Sequence, residues 1–403
     1  MKRIRIPMQN IQKYSFNNSF FSIGSCFSEN IAKNLASLGV KTFSNPFGVV
    51  YNPYSIYQQL LHITTKDKYS YEDLSFYNGK YFLFCHSAAN DCDNPDTVLN
   101  SANNQLNQAK NFFSQADVFL ITLGSAVIYE TYQSVCPTTA NEEKIITANC
   151  HRVPQNKMNR RLLTHSECCE YIKQTVEIIK NVKNNADIII TISPAKHYPG
   201  EPLLDSTSKS RLKSALDEVT EKYSDNNVFY FPSYEIFRDE LCDRKWYKND
   251  GTHPNKKAVS FIMKNFISSS FTKQTQSVMK EISSIKKLLH HRPTAPESNA
   301  NFELLKKITM QLQKIQTANT STLRFETACK LARNFYNHEQ TDKLIDELFS
   351  ENNFFFDSNE KNLILELLAF FRKEHNFQSL PVRLFSDKRL SSMLISFLTK
   401  NDV

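Results

Sequence analysis

The sequence predicts a three-layer α/β/α fold, an open parallel sheet with helices on both faces, followed by an all-helical C-terminal region. Three observations carry this expectation. Short apolar runs alternate with stretches of helical period, the pattern of parallel strands joined by helical crossovers. Small and polar residues gather at the carboxyl end of every run. Beyond about residue 270 the apolar runs stop and helical patterns alone continue.

In chain order, 20–23 reads as the first strand. A helix follows through Ile31, Leu35 and Leu38, and Gly39 stands where a left-handed helix stop belongs. Segment 40–43 is the second strand. Tyr77-Asn78-Gly79-Lys80 predicts a hairpin turn, so a small antiparallel insertion is expected there. Strands are expected at 117–123, 187–192 and 228–231, with helices at 96–115, 166–184 and 208–223. Thr164 and Glu167 are spaced as a capping box for the second of these helices. Two domains are expected, 15–270 and 271–403. Within the second, Leu331-Ala332-Arg333-Asn334-Phe335 recurs in Leu367–Phe371, and Leu348-Phe349-Ser350 in Leu384-Phe385-Ser386. Both recurrences are 36 residues apart, a spacing that suits a helical-hairpin interaction module as well as chance in a Leu/Phe-rich chain.

Composition narrows the classes. The 403 residues include 30 Phe and 17 Tyr but only seven Gly, which excludes collagen-like and Gly-rich linker architectures. Net charge is +8, from 49 basic and 41 acidic residues mixed along helical stretches such as 208–223. No dense basic block exists, so solvated helix faces are expected and nucleic acid is not expected as a partner. Nine cysteines without a CxxC pair argue for reduced thiols in a cytoplasmic protein, not for a disulfide framework or zinc ribbon. The longest apolar runs are too short to span a bilayer. With no GxGxxG, no Walker loop and no metal-ligand spacing, no cofactor and no metal are expected.

Ligands in open α/β sheets bind beyond the carboxyl ends of the strands. Those ends here carry Gly24-Ser25-Cys26, Asn45-Pro46-Phe47-Gly48, Gly124-Ser125 and Ser193-Pro194-Ala195-Lys196-His197; Asp250-Gly251-Thr252-His253 follows the fifth strand. Ser25 sits between a strand and a helix, where a serine is a nucleophile if a base reaches it and a helix cap otherwise. Asp250 and His253, three residues apart, supply such a base. The carboxylate accepts from Nδ1–H and leaves Nε2 free to take a proton. Cys26 is a second nucleophile candidate, although a buried cysteine is the expectation. His197 either lines the site or caps a helix, and His151 with Arg152 either binds an anion or forms a structural ion pair. Five of the seven glycines, Gly24, Gly48, Gly124, Gly200 and Gly251, lie in or just after these segments.

A strand-end serine paired with a distant DxxH resembles the SGNH (GDSL-like) hydrolase superfamily. Within it, Gly24-Ser25-Cys26-Phe27 resembles the signature of the GSCFA family. Asn45-Pro46-Phe47-Gly48, Tyr51-Asn52-Pro53, Thr122-Leu123-Gly124-Ser125-Ala126, Cys150-His151-Arg152 and Ser193-Pro194 with His197 are similar too. The resemblance implies a flavodoxin-like α/β/α domain with Ser25 as nucleophile, His253 as base and Asp250 as its orienter. It also implies that the backbone N–H groups of Gly48 and Ser25 hold the oxyanion. The superfamily's third block usually supplies an Asn to the oxyanion, whereas this chain has Ser125-Ala126 after Gly124. Ser125, Asn45 and Asn52 are the candidate replacements. The expected activity is hydrolysis of an O-acyl ester on a small molecule or carbohydrate through a Ser25 acyl-enzyme. The alternatives are acyl transfer to a sugar hydroxyl with the same residues, and a non-catalytic binding module whose helical tail recruits a protein partner.

Overall fold

A run such as Asp187-Ile188-Ile189-Ile190-Thr191-Ile192 has no side suited to water, so it must be covered on both faces. All six of its residues are buried. The structure is a computed structural model describing residues 4–132, 144–149, 151–223, 227–291, 293–335, 338–349, 358–374 and 390–395. By internal contacts the chain divides into two compact units, 1–37 with 41–272, and 38–40 with 273–403.

In the first unit the described strands are β1 (Ser19–Gly24), β2 (Lys41–Ser44), β3 (Ser75–Tyr77), β4 (Lys80–Phe82), β5 (Val118–Leu123), β6 (Val127–Tyr132), β7 (Lys144–Thr147), β8 (Asn159–Leu162), β9 (Asp187–Ile192) and β10 (Val228–Phe231). Its helices are α1 (Cys26–Ala36), α2 (Pro53–Thr65), α3 (Pro95–Gln115), α4 (His165–Val182), α5 (Pro202–Lys222), the single turn α6 (Ser233–Glu235) and α7 (Lys256–Ser270). The central sheet has the order β10-β9-β5-β1-β2, all parallel, as the sequence predicts. Its core joins Phe21, Ile23, Phe119, Ile121, Ile188 and Ile190 of the strands to the apolar faces of the helices.

Two boundaries differ from expectation. Helix α1 ends at Ala36, where the Ser37 N–H bonds Lys33 O at 3.0 Å, so Gly39 lies beyond the helix stop it was expected to form. Helix α5 starts at Pro202, whose fixed φ suits a first turn. The Asn78-Gly79 hairpin joins β3 to β4 as expected, with φ of 47° and 78°. A second antiparallel sheet, β7-β6-β8, was not expected at all. The capping box of α4 is present, Thr164 and Glu167 each accepting from the other's N–H.

The second unit contains α8 (Lys273–Leu289), α9 (Asn299–Lys314), α10 (Ser321–Asn334), α11 (Thr341–Leu348) and α12 (Ser358–Glu374). Arg324 is fully buried within it. Its guanidinium donates to Thr320 Oγ1 at 2.9 Å, Leu348 O at 3.2 Å, Ile315 O at 3.3 Å and Leu312 O. It thereby satisfies carbonyls that the ends of α9 and α11 leave without helical partners. Of the 36-residue recurrences, the first pair falls at the ends of α10 and in α12; Ser350 and Leu384-Phe385-Ser386 lie outside the described residues. No helix among the described residues is long and apolar enough to cross a membrane.

Candidate active site

The strand order reverses between β1 and β5, so their carboxyl ends frame the crevice in which such sheets bind ligands. β1 ends at Gly24, with φ +131°. A Cβ there would lie 2.1 Å from Thr122 O of the neighbouring strand, so only glycine fits. Asn45 Oδ1 accepts from the Gly24 N–H at 2.8 Å, and the Ser25 N–H bonds Thr122 O at 3.0 Å. The chain then turns directly into α1.

Ser25 caps that helix, its Oγ accepting from the Phe27 N–H at 3.3 Å. The side chain has no exposure and lines neither of the cavities at the sheet's mouth. Cys26 is the first helical residue and is partly exposed, against the expectation of a buried thiol. It lines both cavities, of about 430 Å³ and 380 Å³, which also share Ala195 and His253.

Asp250 and His253 form the expected pair. Asp250 Oδ2 lies 2.9 Å from His253 Nδ1, and Oδ1 accepts from the His253 and Thr252 N–H groups at 2.9 Å and 2.8 Å. These bonds hold the Asp250 carboxyl down at about 2, the backbone donors contributing most. The loop is tied to the end of β9 by the Lys196 N–H, which bonds Thr252 O at 3.1 Å.

The expected oxyanion donors are differently employed. The Gly48 N–H bonds Asn45 O at 2.9 Å, closing a turn, and the Ser25 N–H is committed to β5. Asn45 holds the end of β1 and lines neither cavity. Asn52 and Ser125 do line the larger cavity. Asn52 Oδ1 caps α2 through the Ser55 N–H at 2.8 Å, while Ser125 Oγ accepts from Val127 N–H at 3.0 Å and pairs with Ser208 Oγ.

His197 lies in the same cavity wall, edge-on to Tyr51 with ring centroids 5.1 Å apart. A Cβ on Gly124 would lie 2.7 Å from His197 Nε2, so the bare Gly124 backbone makes room for the imidazole. Lys209 of α5 approaches this ring from beneath. Expected among solvated helix residues, it is instead buried, its Nζ bonding Gly124 O at 2.7 Å and Ser193 O at 2.8 Å and lying 3.3 Å from His197 Nδ1. Burial lowers the Lys209 ammonium to about 7, against the opposing pull of Asp205 and Cys26. Burial, then the Lys209 charge, push His197 well below the usual imidazole range, although the Ala195 carbonyl works the other way. A charged Lys209 has three protons for three acceptors; with Nδ1 accepting, neutral His197 carries its proton on Nε2.

His151 is structural. It is buried, paired with Asp91 Oδ1 at 2.9 Å, near His86 O at 3.1 Å, and stacked on Phe82. Arg152 is exposed, and Cys150 lies outside the described residues. The seven described cysteines are unbridged. Away from the site, His165, Cys169 and Glu218 bring ligand atoms within 4.8 Å of one another, a grouping not foreseen from spacing.

A parallel sheet of this order, with helices packed against it, defines a three-layer α/β/α domain, and its strand ends bring the His–Asp pair and the N-terminus of α1 to shared cavities. Within that class the chain belongs to the GSCFA family, whose model matches residues 19–266. No curated protein matches. Among solved structures, the Clostridium thermocellum family 3 carbohydrate esterase is similar at 11% identity and a TM-score of 0.30, over 66% of this chain and 98% of that one.

Proposed function

We propose that the chain is an esterase-type hydrolase that carries the acyl group on a nucleophile at the start of α1. His253 is its general base and Asp250 the orienter of His253. The observation that carries this reading is the 2.9 Å Asp250–His253 hydrogen bond beside cavities that also take in the start of α1. With Nδ1–H held by the carboxylate, Nε2 is the nitrogen free to accept the nucleophile's proton and return it to the leaving alcohol.

Negative charge on the carbonyl oxygen is met by the Cys26 N–H at the start of α1, by His197 Nε2–H and by the Asn52 amide. His197 supplies what the missing third-block Asn would have given. The Val127, Ala148 and Val153 side of the larger cavity suits the acyl group, and about 430 Å³ suits a small ester rather than a bulky one. O-acetyl groups on carbohydrates are within this class.

The test is turnover of p-nitrophenyl acetate and of acetylated sugars by the full chain. His253→Ala should lower kcat by roughly 10⁴-fold without unfolding the protein. Absence of turnover across such a panel, in a folded protein, refutes the reading.

A further inference from the structure

We propose that His165, Cys169 and Glu218 form a binding site for one divalent cation of the zinc class, shared between α4 and α5. Their ligand atoms all lie within 4.8 Å of one another. His165 is the first residue of α4 and Cys169 stands four residues on, so the two side chains share one helix face. The Thr164–Glu167 capping box fixes the turn from which His165 projects. Cys168 is buried in the core, so the helix presents a single thiol to this face. Glu218 arrives from α5, three residues past buried Ala215, whose carbonyl lies 4.0 Å from Cys169 Sγ. None of the three lines the cavities beside His253, so the inference is independent of the hydrolase reading.

The separations suit ligands around a metal better than they suit hydrogen bonds. His165 Nε2 stands 3.7 Å from Cys169 Sγ and 3.7 Å from Glu218 Oε2. The second distance is beyond hydrogen-bond reach, and at the first a thiol is a weak partner for the ring. With Zn–N and Zn–O at about 2.0–2.2 Å and Zn–S at about 2.3 Å, tetrahedral ligands of zinc stand roughly 3.3–3.6 Å apart. The His165 and Glu218 side chains are 41% and 67% exposed, so they have room to close the remaining gap, and water can take the fourth position. A neutral imidazole, a carboxylate and a thiolate carry two negative charges, which a dication balances. The Cys169 proton leaves to solvent as the metal–sulfur bond forms. Thiolate and imidazole select zinc-class ions over magnesium and calcium, which take oxygen ligands. Held from two helices, the ion binds the folded chain in preference to the unfolded one and so stabilises it.

The experiment is titration of the reduced full chain with Co(II), read by absorption, followed by displacement with Zn(II). Expected is one equivalent of bound cobalt with tetrahedral d–d bands and a near-ultraviolet thiolate-to-cobalt band, all removed by zinc. Cys169→Ala should abolish the thiolate band, whereas Cys26→Ala, which leaves the cluster intact, should keep it. His165→Gln and Glu218→Ala, both at exposed side chains, guard against a folding artefact. Each should weaken cobalt binding by more than the roughly 10–100-fold lost when only a ligand's hydrogen-bond partner is removed. Zinc should also raise the melting temperature of the wild type but not of Cys169→Ala. A folded wild type without a thiolate band, a band that survives in Cys169→Ala, or wild-type affinity in both His165→Gln and Glu218→Ala overturns the site. An equal rise in melting temperature with and without Cys169 overturns it as well.

Discussion

Replacing Lys209 with methionine removes a buried charge and should change how stability depends on pH. In the folded chain the ammonium gives up its proton at about 7, against an ordinary 10.5. Between those values the unfolded chain holds one more proton than the folded chain, so unfolding free energy rises with pH across that window. Each tenfold change in proton affinity is worth about 1.4 kcal/mol. Full charge on Lys209 below about 7 therefore costs the fold on the order of 5 kcal/mol relative to an unperturbed lysine. Lys209→Met lacks this dependence, and the groups common to both proteins cancel in the difference. Trp246, the only tryptophan, lies in the first unit with Lys209, so its fluorescence reports the relevant transition. Urea unfolding of both proteins from about pH 7 to about pH 10 should show the wild type gaining roughly 1.4 kcal/mol per pH unit on the variant. A difference that stays flat across that interval refutes the low proton affinity assigned to Lys209.

Other substitutions test the neighbouring geometry. His197→Ala should lower kcat on a small ester by about 10²–10³-fold with little change in KM, as loss of one oxyanion donor does. Gly24→Ala drives a Cβ to 2.1 Å from Thr122 O at a φ of +131°, so thermal melting should show a loss on the order of 4 kcal/mol or no folded protein. Arg324→Met strands buried helix-end carbonyls and should destabilise the second unit by about 3–5 kcal/mol, measured by urea unfolding followed by circular dichroism.

The parallel strands were legible because burial on both faces writes itself as an unbroken apolar run, as in 187–192. The β7-β6-β8 sheet was not, because its strands are half polar: Arg161 of β8 pairs across to Glu130 of β6 at 2.7 Å, so neither segment reads as apolar. The His–Asp pair was legible because three residues of spacing suffice to close it. The oxyanion donors were not, because the partner of a backbone N–H depends on turns: nothing in the names Ser25 and Gly48 tells that Thr122 O and Asn45 O take them. Lys209 did leave a trace. It falls on the same helical stripe as Leu212, Leu216 and Val219, all buried, an apolar face in which a lysine is out of place. Glycine scarcity pointed correctly to Gly24 and Gly124. It misled at Gly200, where a Cβ would meet nothing within 4 Å; Gly251, equally open, keeps its glycine for a φ of +64° in the turn between Asp250 and His253.

The short reach from Lys209 Nζ to His197 Nδ1 makes one proton serve two opposed ends. While Lys209 is charged, it donates to Nδ1 and the imidazole proton stands on Nε2. Once it is neutral, its lone pair accepts from Nδ1–H, the tautomer reverses, and Nε2 presents a lone pair that repels a forming oxyanion. Turnover should fall as pH rises through about 7, over the interval in which the folded state gains stability. Paired profiles of kcat and unfolding free energy against pH should therefore cross with slopes of opposite sign, and parallel slopes would break the link. The protein is then at its most durable where it is least able to turn over.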